Sequence, residues 1–234
     1  MSIYLQGLER AITLILSGDR ELVEITFRSL YVSSTAVIIA GIIGIPIGTW
    51  LGTLRPTFWK NLFIRLIYVL MGLPPVLAGL ILFLLLSRSG PIAKYVYLLY
   101  TPTAMILAQL MLSLPIVIGL VYVVAEEKAP VVIMTAKGLG ANRFQTLTTL
   151  MKEIRFPAIT ALVSAFGRVI AEVGAVMLVG GDIAGKTRVL TTSIVIETRK
   201  GNFDLAIALG LVLLLVSFMV NSLLFSWQQG GKNR

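Results

Sequence analysis

The chain contains neither cysteine nor histidine among its 234 residues. These two absences exclude disulfides, thiolate chemistry, the usual zinc sites and any catalytic triad built on imidazole. Charge is also scarce. Asp, Glu, Lys and Arg make up 13% of the residues, about half the share found in an average soluble domain. Long stretches have no charge at all, so the chain cannot cover itself with a water-compatible face. Its 57% hydrophobic composition and mean hydropathy of +0.92 make lipid the appropriate solvent. Acid is the scarcer sign, with 11 Asp and Glu against 20 Lys and Arg. The bases cluster in short segments between apolar runs and form no single stripe, which marks juxtamembrane charge and argues against nucleic acid as a partner. The first residues, MSIYLQGLERAITLIL, carry Glu9 and Arg10 in their middle and lack a basic leader and a small-x-small cleavage site, so they do not read as a signal peptide.

A spanning helix needs about 20 largely apolar residues, and five intervals between charges supply them. They lie between Arg28 and Arg55, between Arg65 and Arg88, in the C-terminal part of Lys94 to Glu126 after the turn signal Thr101-Pro102, from Phe156 to Gly181, and from Asp204 to about Trp227. Continuous apolar runs exclude the alternating pattern of a membrane barrel. The expected fold class is therefore all-α integral membrane, with about five transmembrane helices. Residues Ile3 to Leu16 are short for a span and carry charge on one side, which predicts an interfacial helix, with a sixth, tilted span as the alternative. Two long breaks remain. Glu126 to Arg155 holds two short helical stretches around Gly138 to Asn142, with Asn142 placed to cap the second. Asp182 to Phe203 mixes charges with an apolar stretch, Val189 to Ile196, and predicts an amphipathic excursion at the membrane surface. If the 126–155 loop is cytoplasmic, the cytoplasmic segments carry roughly ten Lys and Arg against nine outside, so the positive-inside rule does not set the orientation.

Several residues within the spans stand out. Gly44, Gly48 and Gly52 repeat at four-residue spacing, which places three small residues on one helix face for close packing. Pro46, Pro74 with Pro75, and Pro115 each remove a backbone donor and loosen a helix, as a pathway lining requires. Arg168 and Glu172 fall in the middle of the fourth span, four residues apart. One reading is a structural pair that fastens the bundle; the other is an Arg168 guanidinium presented to an oxyanion and held by Glu172. The run GGDIAGKT, Gly180 to Thr187, formally fits the phosphate-cradling P-loop. A working P-loop needs a short buried strand before it, a helix after it and a soluble α/β domain with a second carboxylate for magnesium, and this chain has no room for that domain.

The loop VIMTAKGLGANRFQTLTTLMKEIRFP resembles the coupling segment of bacterial and archaeal ABC importer permeases, whose pattern is E-A-A, three residues, Gly, nine residues, then I-x-L-P. Ala136 and Gly140 match it in spacing. Met134 and Thr135 stand where Glu and Ala are expected, Leu150 where Ile is, and Glu153 where Pro is. The stretches MGLPPVLAGL, LLLSRSGP, LLYTPTAMILAQ, LSLPIVIGL and GRVIAEVGAVMLVGGDI are similar to permeases of tungstate importers, relatives of the molybdate and sulfate group, and the resemblance covers most of the chain from Leu30 onward.

That resemblance implies an ABC importer permease (MetI/ModB-like) fold in the plasma membrane of a bacterium or archaeon. It implies an N-terminal interfacial helix and linker over 1–29, a permease domain over 30–228 with its coupling loop at 126–155 in the cytoplasm, and a tail over 229–234. It further implies a homodimer, two cytoplasmic ABC ATPase subunits that bind the ATP and magnesium, an extracytoplasmic oxyanion-binding protein, and no cofactor in this chain. Thr135, Ala136, Lys137, Gly140, Asn142 and Arg143 are the expected ATPase seat, with Gly140 serving close approach or a left-handed turn. Pro74, Pro75, Ser113, Pro115, Arg168 and Glu172 are the expected pathway. The expected cargo is a tetrahedral oxyanion, tungstate before molybdate or sulfate. A stand-alone secondary transporter would show internal symmetry and ion-coupling carboxylates, and a membrane enzyme would need a cluster of carboxylates or other catalytic groups. Neither pattern is present in the sequence.

Overall fold

The computed structural model describes residues 3–92, 94 and 97–230. Its elements, all helices, are α1 (Ile3–Ser17), α2 (Arg20–Thr53), α3 (Phe58–Met71), α4 (Pro75–Leu86), α5 (Pro102–Gly138), α6 (Arg143–Glu153), α7 (Arg155–Ile170), α8 (Gly174–Gly180), α9 (Leu190–Arg199) and α10 (Phe203–Gly230). Three are long and apolar enough to cross a membrane alone: α2, α5 and α10. Two pairs, α3 with α4 and α7 with α8, reach that measure only together, each bent at a break. The second and fourth expected spans are thus interrupted helices. At the first break the double proline explains the interruption. Pro75 opens α4 at its first turn, where a missing N–H costs nothing, and Pro74 in extended conformation cannot continue α3.

The helices assort into two compact units: Met1–Thr35, Pro74–Gln109 and Gly167–Leu223 in the first, and Ala36–Leu73, Leu110–Phe166 and Leu224–Arg234 in the second. In the first unit Leu22, Ile25, Leu190, Leu209 and Val212 form an apolar core from α2, α9 and α10. The 15-residue α1 packs into this unit. A Cβ on Gly7 would lie 2.6 Å from Ile207, and Arg10 pairs with Asp204. In the second unit Leu51, Ile64, Ile67, Ile118 and Tyr122 join α2, α3 and α5.

Two boundaries differ from the sequence expectation. Residues 20–29, expected as a linker, are the start of the 34-residue α2, and residues up to Gly138, expected as a separate short helix, are the end of the 37-residue α5. In both cases helical backbone bonds continue past the last apolar residue, so charge marks where a span ends but not where its helix ends. Of the tail assigned to 229–234, residues 231–234 lie outside the described residues.

Candidate coupling segment and pathway residues

In the second unit the three glycines of α2 meet α5 directly. Added Cβ atoms would lie 2.9 Å from Val117 at Gly44, 2.8 Å from the Ile118 carbonyl at Gly48, and 2.6 Å from Ala125 at Gly52. Any side chain at these positions would push the helices apart. Below this contact Lys60, whose side chain is 4% exposed, places its Nζ 2.9 Å from Glu126 Oε1 and 2.9 Å from the Leu54 carbonyl.

The coupling segment is built from two local motifs. The first ends α5. Gly140 takes a left-handed φ of 78°, its N–H donates to the Lys137 carbonyl at 3.0 Å, and the N–H of Ala141 donates to the Ala136 carbonyl at 2.9 Å. This is a Schellman closure, which requires the left-handed residue that only glycine adopts without strain. Among the described residues, none beyond its chain neighbours comes within 4 Å of a Cβ built on Gly140, so its role within the chain is the turn and not close approach. The second motif opens α6. Asn142 Oδ1 accepts from the Gln145 N–H at 2.8 Å, and Gln145 Oε1 accepts from the Asn142 N–H at 2.8 Å, a reciprocal capping box. Ala136 is buried, while Thr135, Lys137, Asn142 and Arg143 are exposed. Large apolar side chains are bare beside them, with Leu139 at 83% and Phe144 at 74% exposure. Among the described residues no acid pairs with Lys137 or Arg143.

The expected pathway residues divide between the units. Ser113 and Pro115, in the second, are buried within α5, and the Ser113 hydroxyl faces the Leu110 carbonyl at 3.4 Å. In the first unit, α4 and α8, the two short helices that follow the breaks, pack on each other. A Cβ on Gly79 would lie 2.6 Å from the Ala175 Cα, and one on Gly174 would lie 2.7 Å from Val76. Pro74 and Pro75 thus open one of these helices while Glu172 precedes the other.

The structure corrects the pairing expected of Arg168 and Glu172. Helix α7 ends at Ile170, so the two residues do not share a continuous helix face, and no ion pair joins them among the described residues. Glu172, 7% exposed, instead accepts the Ala175 N–H at 3.2 Å and satisfies a donor at the start of α8. Arg168 is exposed and has no partner among the described residues. Two residues missed in the sequence complete this region. Gln109, buried, donates to the Val169 carbonyl at 3.0 Å while its Oε1 has no partner among the described residues, and the Thr191 hydroxyl donates to the Glu172 carbonyl at 3.0 Å. Gln109 is the lone amide within its apolar run, and that was its available signal.

The GGDIAGKT run is a structural turn. A helix precedes it, α9 begins only at Leu190, and the Thr187 hydroxyl is buried, donating to the Gly180 carbonyl at 2.6 Å and accepting from the Ile183 N–H at 2.9 Å. Asp182, with a 6% exposed side chain, accepts from Arg188 at 3.3 Å and from Thr192 at 2.6 Å. Arg28 clamps the Gly185 and Arg188 carbonyls, each at 2.9 Å, and Ser29 accepts from the Leu190 N–H. The segment is packed into the first unit, with Leu190 to Ser193 buried, and is not a surface excursion along its whole length.

Comparison with known proteins agrees with this arrangement. The tungstate uptake system permease protein TupB of Peptoclostridium acidaminophilum is 42% identical over 224 residues, covering 96% of this chain and 97% of that protein. Its namesake in Campylobacter jejuni is 38% identical over 92% of this chain and 89% of that protein. The fold matches the crystal structure of a bacterial ABC transporter involved in the import of the acidic polysaccharide alginate, with a TM-score of 0.70 at 17% identity, over 93% of this chain and 82% of that one. Residues 44–229 match the family described as the binding-protein-dependent transport system inner membrane component, and the chain belongs to that family, as a multi-pass permease subunit of the inner membrane.

Proposed function

We propose that this chain is the permease of an importer for a doubly charged tetrahedral oxyanion, with tungstate as the cargo. The observation that carries the class is the coupling segment. A Schellman turn and a capping box hold a rigid corner that bares Leu139, Phe144, Lys137 and Arg143, the surface of a part made to be gripped by another protein. The choice of tungstate rests on the relatives named for its uptake. Molybdate and sulfate have the same charge and shape and are the alternatives. In this reading two copies form a homodimer around the pathway, two ATPase subunits seat on residues 135–143 and bind the ATP and magnesium, and an external binding protein delivers the anion. Thr135 to Arg143 then face the cytoplasm. The chain performs no covalent chemistry.

Arg168 is the residue assigned to the anion, because it is an exposed guanidinium in the broken fourth span with no partner among the described residues. The test is reconstitution with the cognate ATPase and binding protein. Uptake and ATP hydrolysis rise with tungstate, and the chain alone neither binds ATP nor moves the anion. Arg168→Met abolishes uptake while the assembled complex still purifies. Full uptake by that variant removes Arg168 from the pathway, and uptake by the chain alone replaces this reading with a secondary carrier.

A further inference from the structure

The helix that carries the coupling segment is held firmly over one part of its length and loosely over the rest. Up to Glu126, α5 is gripped from two sides within the second unit. The glycines of α2 lie against Val117, Ile118 and Ala125. Lys60, buried near the start of α3, ties two further parts together with one ammonium. Its Nζ bonds Glu126 Oε1 and the Leu54 carbonyl, each at 2.9 Å, and stands 5.3 Å from the centre of the Tyr122 ring. The end of α2 and the shaft of α5 are thus fastened as one piece. Beyond Glu126 the grip is lost, and from Glu127 to Gly138 the buried residues are Ala129 and Ala136 alone.

Pro130 lies at this transition, inside the helix and exposed. It has no N–H for the Glu126 carbonyl, and its ring crowds that carbonyl, so the ladder of helical bonds is interrupted one turn past the clamp. The helix bends most easily there. It also has room to bend. A cavity of about 480 Å³ is walled by Trp50, Thr53 and Leu54 at the end of α2 and, facing them, by Ile133 of α5 with Thr146 and Leu147 of α6.

We propose that Pro130 is a joint and Lys60 its anchor, both positioning residues for the transport cycle; this rests on the reading that residues 135–143 seat the ATPase. When the ATPase pair closes, the arm from Val131 to Gly138 turns about Pro130 and narrows the cavity. The corner that follows the arm is rigid, held by the Gly140 turn and the Asn142 capping box, so α6 and the start of α7 travel with it. Lys60 keeps the shaft of α5 and the end of α2 still. The stroke is then delivered to the broken fourth span and is not dissipated in tilting α5.

The chain has no cysteine of its own, so a pair placed across the cavity reports its width. Thr53→Cys with Ile133→Cys, in the chain assembled with its ATPase, is treated with a short bismaleimide, with and without trapping by ATP and vanadate. The yield of the crosslink within one chain rises at least about fivefold on trapping, the lower end of the range for coupled equilibria. Adding Pro130→Ala abolishes that rise. In the chain without the cysteine pair, Pro130→Ala lowers substrate-stimulated hydrolysis at least about fivefold, yet raises the thermal midpoint by at least about 2 °C, because the missing helical bond is restored. The opposite signs separate a joint from a merely structural proline, whose removal would stabilise the chain and leave coupling alone. Lys60→Met lowers the anion moved per ATP by at least about fivefold, and an undiminished ratio removes the anchor. Crosslinking that is equal in the two states or falls on trapping, or Pro130→Ala hydrolysis stimulated as in the wild type, overturns the joint while the ATPase stays bound. An ATPase that does not co-purify with the wild-type chain overturns the seat itself, and the joint with it.

Discussion

The segments that follow α5 and α8 start alike and then diverge. Each leaves its helix through a left-handed glycine, Gly140 at φ 78° and Gly181 at φ 71°. After Gly181 the chain satisfies its polar groups internally. Asp182 holds Arg188 and Thr192, Thr187 caps the Gly180 carbonyl, and Arg28 and Ser29 of α2 fasten the turn from outside it. After Gly140 the bonds are purely local, between residues three to five apart, and apolar and cationic side chains stay bare. The first segment is complete within the chain. The second has a rigid backbone and an unfinished surface, the combination expected of a part that transmits motion to a partner.

The largest effect expected from this contrast is at Asp182. Asp182→Ala removes the buried carboxylate that Arg188 and Thr192 share, leaving Arg188 only its more exposed partner Glu21 and Thr192 only the Val189 carbonyl. This should cost about 2–3 kcal/mol, below the roughly 3–5 kcal/mol for breaking a fully buried pair, because Arg188 is partly exposed and keeps Glu21. Thermal unfolding of the purified chain reads this directly, and an unchanged midpoint would mean that the interlock after α8 is ornamental. Next comes Gly140→Glu. Nothing crowds the position, so its stability cost is the strain of a left-handed side chain alone, about 1–2 kcal/mol. Substrate-stimulated ATP hydrolysis by the reconstituted complex should nevertheless fall at least about tenfold, since the corner bends away from its seat and gains a carboxylate on a surface made of apolar and cationic side chains. Undiminished stimulation removes the segment from coupling.

What could be read in the sequence was whatever depends on neighbours along the chain. Charge-poor intervals located the spans, four-residue spacing placed Gly44, Gly48 and Gly52 on one face, and Asn142 with Gly140 marked the corner after α5. The double proline announced the first break, because proline acts on its own backbone and on the residue before it. The second break, at Ala171 to Val173, carries no proline, and the sequence AEVGAV is compatible with a continuous membrane helix. The i, i+4 argument for Arg168 and Glu172 failed there for that reason. The Asp182 interlock was equally hidden, since Arg28 lies 157 residues from Gly185 and Ser29 lies 161 from Leu190. Its one local signature, GGDIAGKT, imitates a nucleotide-binding loop because both use glycines to turn tightly after a regular element.

The smallest effect concerns the far end of the interlocked segment, where Glu197 closes α9. Its carboxylate accepts from Asn202 at 2.7 Å and Lys200 at 2.8 Å, and these bonds, the Asn202 one first, hold it below the ordinary range for glutamate. A carboxyl lowered on folding stabilises the folded state fully above its unfolded value, about pH 4.3, and that contribution disappears as the pH falls through the lower folded value. Glu197→Gln should therefore be less stable than the wild type at neutral pH by no more than about 1 kcal/mol, and the two should converge on acidification below pH 4. A difference that stays constant from neutral pH to pH 3 would show that the closure of α9 depends on shape and neutral hydrogen bonds, which would remove charge from the contrast with the coupling segment at this end.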